Sequence, residues 1–276
     1  MKNSPFVFAV SVLLIFHSGC AALGRQHQPI DLELDGLSPE HIAQVQDLVK
    51  KMEPFIGKKD RKGALPYLTL DELESPLNSK ETRFLHAFRD LRAREVGVNI
   101  PYRGFSQGQT PLIRLDGQKI RIHGEVKELP PQFLSPAVYE AYKSMMSAME
   151  HDIGKRLYVE SAYRSSAHQL YLFIFYLSNH AYSIRETAKW VALPGYSEHG
   201  DPKRLAIDFI NAEGINGEKN VTEFEALPEN VWLLKNASRF GFVLSYPKNA
   251  PVGITYEPWH WRYQPSENGT PNCPCE

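Results

Sequence analysis

The chain has 276 residues, 42% of them hydrophobic and 23% charged, with a formal net charge of -1. These are the proportions of an ordinary globular protein with one generous domain or two small ones. A near-neutral chain without a basic block excludes bulk attraction to nucleic acid or anionic lipid as the basis of function.

The first 24 residues depart from that average. Lys2 precedes an apolar run from Pro5 to Phe16, interrupted only by Ser11. The run is too short to span a bilayer comfortably and reads as an export signal, residues 1–24. Ser18-Gly19-Cys20 resembles the end of a bacterial lipobox, which predicts lipid attachment at Cys20. The expected location is the cell envelope, as a membrane-anchored lipoprotein in the periplasm or on the outer face. His17 stands where an aliphatic residue is usual, so cleavage by the ordinary signal peptidase near Ala22 to Gly24 is the alternative. The other cysteines, Cys273 and Cys275, lie in a C-terminal tail (266–276), far in sequence from the histidine-rich centre. A thiolate metal site and a cysteine nucleophile are thereby set aside.

Residues 25–134 read as an accessory region. Ser38-Pro39 forms an N-cap and first-turn pair, followed by Ile42, Val45, Leu48, Val49 and Met52 at helical spacing. A second helix is predicted from Ser79 to Arg94, with Phe84, Leu85, Phe88 and Leu91 on one face. Ile120-Arg121-Ile122 alternates like a short strand.

The second domain, residues 135–265, opens on another such pair, Ser135-Pro136. Val138, Tyr142, Met145, Met146 and Met149 then keep a helical stripe that reads as core, not as a methionine metal site. Leu157 to Ser161 is a predicted strand, and Ala167 to His180 a strongly apolar helix. Ile184 to Ala192 is helical and stops at Pro194-Gly195. Leu205 to Ile210 is a buried strand, Val231 to Phe240 a helix and Gly241 to Tyr246 a further strand. Helices first and short strands later, without regular alternation, predict an α+β fold with a small mixed or antiparallel sheet and flanking helices.

Reactive side chains concentrate in Ser161 to Ser165, Ser197 to Asp208, and Glu257 to His260. A catalytic zinc takes three ligands from histidine and carboxylate. His199, Asp208 and His260 can supply them, with Glu257 as a nearby proton acceptor and Arg164 as a fork for a carboxylate. Each has a plainer reading. An isolated histidine is more often structural, and Asp208, inside Leu-Ala-Ile-Asp-Phe-Ile, could equally be half of a buried salt bridge with Arg164.

Five motifs occur in order. They are Ser161-x-Tyr163-Arg164-Ser165-x-x-x-Gln169, Gly195-Tyr196-Ser197-Glu198-His199, Leu205-Ala-Ile-Asp208, Phe240-Gly-Phe242 and Glu257-Pro-Trp-His260-x-Arg262-Tyr263. Together they resemble the D-alanyl-D-alanine carboxypeptidases associated with vancomycin resistance, whose core is shared with lysostaphin-type peptidases and the hedgehog signalling domain. The resemblance implies a Zn2+ cofactor on His199, Asp208 and His260, with Glu257 as general base. It implies that Arg164 steadies the scissile carbonyl and that Gln169 and Ser197 contact substrate. The implied activity is release of a terminal D-alanine from peptidoglycan stem peptides. An L,D-carboxypeptidase or endopeptidase on the same polymer is the enzymatic alternative, and a catalytically degenerate cell-wall-binding protein the non-enzymatic one. One departure stands out. Eight residues separate His199 from Asp208 where the family usually has six, and Arg204 occupies a glycine position. The longer loop predicts a reshaped cleft edge.

Overall fold

The Ser38 hydroxyl accepts the His41 amide at 3.4 Å and Pro39 fills the first turn, so helix α1 starts at Pro39 and runs to Arg61. Helices α2 (Leu70–Glu74) and α3 (Ser79–Arg89) each open on a reciprocal capping box, Thr69 with Glu72 and Asn78 with Glu81. The five residues of α2 are too few to show a helical period, and α3 stops five residues short of the expected Arg94. These details come from a computed structural model that describes residues 30–107, 111–250 and 253–264. The export segment with Cys20 and the tail with Cys273 and Cys275 lie outside the described residues.

Two antiparallel pairs follow. Strand β1 (Ile113–Leu115) pairs with β4 (Gln132–Leu134), and β2 (Lys119–Ile122) with β3 (Glu125–Glu128). Only β2 is visible as an alternating stretch. The burial pattern of β3 is exposed throughout, so no apolar alternation marks it. Helix α4 (Pro136–Ile153) buries the stripe from Val138 to Met149 and ends at Gly154, whose φ of 65° a glycine adopts without strain.

Beyond α4 come β5 (Tyr158–Ser161), α5 (Ser166–Tyr176), α6 (Ile184–Ala188), β6 (Ala206–Ile210), α7 (Val221–Glu225), α8 (Pro228–Asn236), β7 (Phe242–Leu244) and β8 (His260–Tyr263). The expected helix from 167 to 180 is α5 with a 3-10 turn added, and that from 231 to 240 is α8 with another. The central sheet has the order β5-β6-β8-β7, and every neighbouring pair is antiparallel. The fold is therefore α+β, as the order of its elements implies.

Two apolar cores divide the interior. One packs α4 against the sheet, with Tyr142, Met145, Met149, Phe209 and Trp261 among its buried members. The other joins α1, α2 and α3 to α5 and α6, through residues such as Leu48, Phe84, Phe88, Leu170, Phe173 and Ile184. The N-terminal helices thus cover an apolar face of the second domain. Without them, α5 would leave Leu170, Phe173 and Ile174 in water. Phe88 is fully buried and meets Phe84 edge-on at 5.3 Å. Phe88→Ala should cost about 3–5 kcal/mol. Denaturant unfolding should show that loss in a single transition common to both regions, because the core that holds Phe88 joins the N-terminal helices to α5 and α6.

Candidate metal centre and cleft

Strands β6 and β8 run side by side with Asp208 directly opposite His260. Opposed residues of an antiparallel pair point to the same face, so the ladder itself brings a carboxylate and an imidazole together. His260 Nδ1 lies 2.8 Å from Asp208 Oδ1. His199 arrives from a 3-10 turn, Glu198–Gly200, whose first amides need a cap; the Ser197 hydroxyl accepts the His199 amide at 3.3 Å. The His199 carbonyl in turn accepts the Arg164 amide at 3.0 Å, which ties this turn to the end of β5. His199 Nε2 then stands 3.1 Å from Asp208 Oδ2.

The proton positions follow from the neighbours. His199 Nδ1 is 2.8 Å from the Ala162 carbonyl oxygen, which only accepts, so Nδ1 carries the proton. His199 Nε2 is therefore a lone pair facing a carboxylate oxygen, and this buried nitrogen makes no hydrogen bond among the described residues. On the other ring, His260 Nε2 lies 3.2 Å from Glu198 Oε2; donation there turns the Nδ1 edge toward Asp208. Acceptors facing acceptors in a buried site are what a cation resolves. The ligating atoms of His199, Asp208 and His260 all lie within 4.8 Å of one another. Two imidazoles and one carboxylate are a donor set that suits zinc, with one position left open.

In the metal-free protein a proton takes the cation's place. Burial pushes His260 down, but hydrogen bonds to Asp208 and Glu198 outweigh it and raise its pKa to about 10. Burial pushes the His199 pKa down to about 4, with the Arg164 charge adding to the effect, so that ring is neutral near pH 7. Burial pushes the Asp208 carboxyl up, but the two histidines more than reverse this and hold it well below the usual range. Glu257, buried and 3.6 Å from His260 Nδ1, is pushed up to about 8 by burial, even though the imidazolium opposes this.

A cleft of about 340 Å³ opens over these groups. Its walls include Arg164, Gln169, Ser197 and Glu257 with all three metal-ligand candidates, so every residue singled out within the second domain reaches one cavity. Besides His199 Nε2, two buried polar atoms of the lining residues have no partner among the described residues, Arg164 Nε and Gln169 Oε1. The Gln169 amide nitrogen donates to the Ala192 carbonyl at 2.7 Å, which fixes the side chain on α5.

The longer loop after His199 behaves differently from expectation. None of residues 201–205 lines the cleft. The Asp201 carboxylate accepts the Lys203 amide at 3.1 Å and its carbonyl accepts the Arg204 amide, closing a turn that absorbs the extra length on the outside. Two participants were not assigned a role from the sequence. Glu198 orients His260, and Tyr246 packs its ring 4.9 Å from the His260 ring. A glutamate beside a ligand histidine in a buried turn was the available clue for the first; nothing in the local pattern marks the second.

The D-alanyl-D-alanine carboxypeptidase family model matches residues 131–266, the stretch that carries the whole cavity wall named above. This stretch is similar to that family over just under half of the chain. A D-alanyl-D-alanine carboxypeptidase of Enterococcus faecalis is 42% identical over 87 residues, covering 31% of this chain and 29% of that one. The enzyme of the same description from Enterococcus faecium is 29% identical over 134 residues, 48% of this chain and 37% of that one. The chain thus spans well under half the length of these two relatives. Among solved structures, the LdcB LD-carboxypeptidase aligns at 28% identity and a TM-score of 0.45, covering 60% of this chain and 74% of that one.

The family domain should bind one divalent transition-metal cation per chain. Because the cation displaces the His260 proton, binding near pH 7 should release about one proton, and affinity should rise with pH. Calorimetry in buffers of different ionisation enthalpy measures that proton. His260→Ala should abolish binding; stoichiometric metal in the dialysed variant overturns the ligand assignment.

Proposed function

We propose that this chain is a zinc metallocarboxypeptidase that hydrolyses the terminal D-alanyl-D-alanine bond of peptidoglycan stem peptides. The observation that carries the reading is the buried Glu257 carboxylate beside a His-Asp-His ligand set. The family model and the names of its Enterococcus relatives point to the same chemistry. His199, Asp208 and His260 would hold the zinc, which when bound supplies Lewis-acid polarisation of the carbonyl and activation of water.

The chain's own residues do the rest. Glu257 takes a proton from the attacking water and passes it to the leaving amine nitrogen as the carbon–nitrogen bond breaks. The products are free D-alanine and a peptide shortened by one residue. A carboxyl raised toward neutrality is suited to both halves of this transfer. The Arg164 guanidinium, facing the cleft with an unpartnered Nε, donates to the developing oxyanion, a contribution of about 3 kcal/mol in comparable sites. Gln169 Oε1 and the Ser197 wall orient the substrate. Retention of Glu257 favours an enzyme over a degenerate wall-binding protein, which has no use for a base.

Incubation of the zinc form with defined muropeptides, with products identified by mass, tests the bond cut. Loss of one D-alanine from a pentapeptide is expected; cleavage of a tetrapeptide alone, or of cross-links, assigns the L,D-carboxypeptidase or endopeptidase reading instead. Glu257→Ala should retain zinc and bind peptide while turnover falls about a hundredfold or more. Unchanged turnover removes Glu257 from the mechanism.

We also propose export and a lipid anchor on Cys20, supported by the Ser18-Gly19-Cys20 sequence after the apolar run. Cells fed a fatty-acid analogue should label the native protein and not Cys20→Ser. Equal labelling of the two, or of neither, favours ordinary signal-peptidase cleavage.

A further inference from the structure

Residues 101–107 precede the family domain, yet they lie across the turn that supplies His199. The Arg103 amide donates to the Gly195 carbonyl at 2.8 Å. Ser106 and Ser166 exchange two hydrogen bonds at 2.8 Å, one amide to carbonyl and one amide to hydroxyl. The Tyr102 ring meets Tyr196 edge-on at 5.2 Å and presses on Gly195, whose φ is 81°. A β-carbon at Gly195 would stand 2.5 Å from that ring, so both the conformation and the close approach call for glycine.

This strap delivers one guanidinium. Arg103 Nη2 lies 2.5 Å from Glu198 Oε1, and Nη1 lies 3.6 Å from Asp201 Oδ2 in the lengthened loop. The Arg103 and Glu198 side chains are only 9% and 6% exposed, so solvent cannot replace either partner cheaply. Glu198 Oε1 also receives Arg262 Nη1 at 3.2 Å. Oε2 receives the Ser245 hydroxyl and faces His260 Nε2 at 3.2 Å. One carboxylate is thus held on one oxygen by two guanidiniums and uses the other to hold a ligand imidazole.

We infer that Arg103 is a positioning residue for the metal centre: it clamps Glu198, and through Glu198 it holds the His260 ring with its Nδ1 edge toward Asp208 and the metal. The inference rests on the metal-site reading above. The geometry gives Arg103 this role because its fork joins two places at once, the turn of His199 and the loop that leads to Asp208. Without Arg103 the carboxylate keeps Ser245 and His260 on Oε2, but on Oε1 it keeps only the longer Arg262 contact and loses its shortest guanidinium partner. Partners of this outer kind typically shift metal affinity by about 10–100-fold.

The test uses the full chain and reads metal, not only turnover. Zinc affinity is measured by competition with a chelator, the cobalt form by visible absorption, and stability by thermal unfolding of the metal-free protein. Arg103→Met should weaken zinc binding about tenfold and alter the cobalt spectrum. Glu198→Gln should do the same, and Arg103→Met added to Glu198→Gln should weaken binding no further. Arg103→Lys, which keeps the charge without the fork, should recover part of the affinity. If Arg103→Met does not fold, Arg103→Gln takes its place under the same criteria. A variant that loses thermal stability but keeps wild-type zinc affinity and cobalt spectrum overturns the inference, since a strap with a purely structural role gives that pattern. Equal, additive losses in the two backgrounds also overturn it. Failure of the wild-type chain to bind zinc is a separate result, because it removes the metal reading itself.

Discussion

Lone pairs that face one another without water between them are the constraint on which this site depends. His199 Nε2 and His260 Nδ1 both look at oxygens of Asp208, at 3.1 and 2.8 Å, within a buried pocket. Two such nitrogens and a carboxylate repel unless a positive charge sits among them, and either a proton or a metal ion can supply it. The antiparallel ladder holds the arrangement in place. Asp208 and His260 are register partners, so neither can retreat without breaking the sheet. Folding energy is thereby committed to keeping a cation-seeking site open.

The outer groups act on that constraint by fixing protons. The Ala162 carbonyl settles one tautomer and the Glu198 carboxylate the other, so each ring presents a lone pair on the side where it is needed. Glu257 stands apart from this set. It is close enough to feel the charge of His260 but is not held by a hydrogen bond to it, which leaves its oxygens free for a water proton. The division of labour among the carboxylates thus follows from environment: Asp208 is kept ionised by two imidazoles against the effect of burial, Glu198 by His260, the Ser245 hydroxyl and Arg103 against the same effect, and Glu257 is pushed up by burial.

What could be read directly from the chain was local. Ser38-Pro39 and Ser135-Pro136 mark helix starts through their own capping chemistry, and the buried Leu-Ala-Ile-Asp-Phe-Ile strand betrays Asp208 because a carboxylate there needs compensation. The seven cleft residues from Arg164 to His260 were legible through motifs whose spacing encodes the same geometry. Other features were not. The strand β3 has no buried side, and α2 is shorter than two turns, so neither leaves a periodic trace. The effect of the extra loop residues could not be read from length, because outward closure by Asp201 depends on a turn and not on entropy alone. Arg103 sits 95 residues from Glu198, and a pairing at that separation is written only in the tertiary fold.

The apolar face of α5 carries a further consequence. Helices from outside the family domain cover Leu170, Phe173 and Ile174, while the same helix presents Gln169 to the cleft. A recombination event that moved residues 131–266 into another gene would therefore carry the reactive groups but leave their supporting wall behind. The unit that must fold together is larger than the stretch that carries the metal-binding motifs.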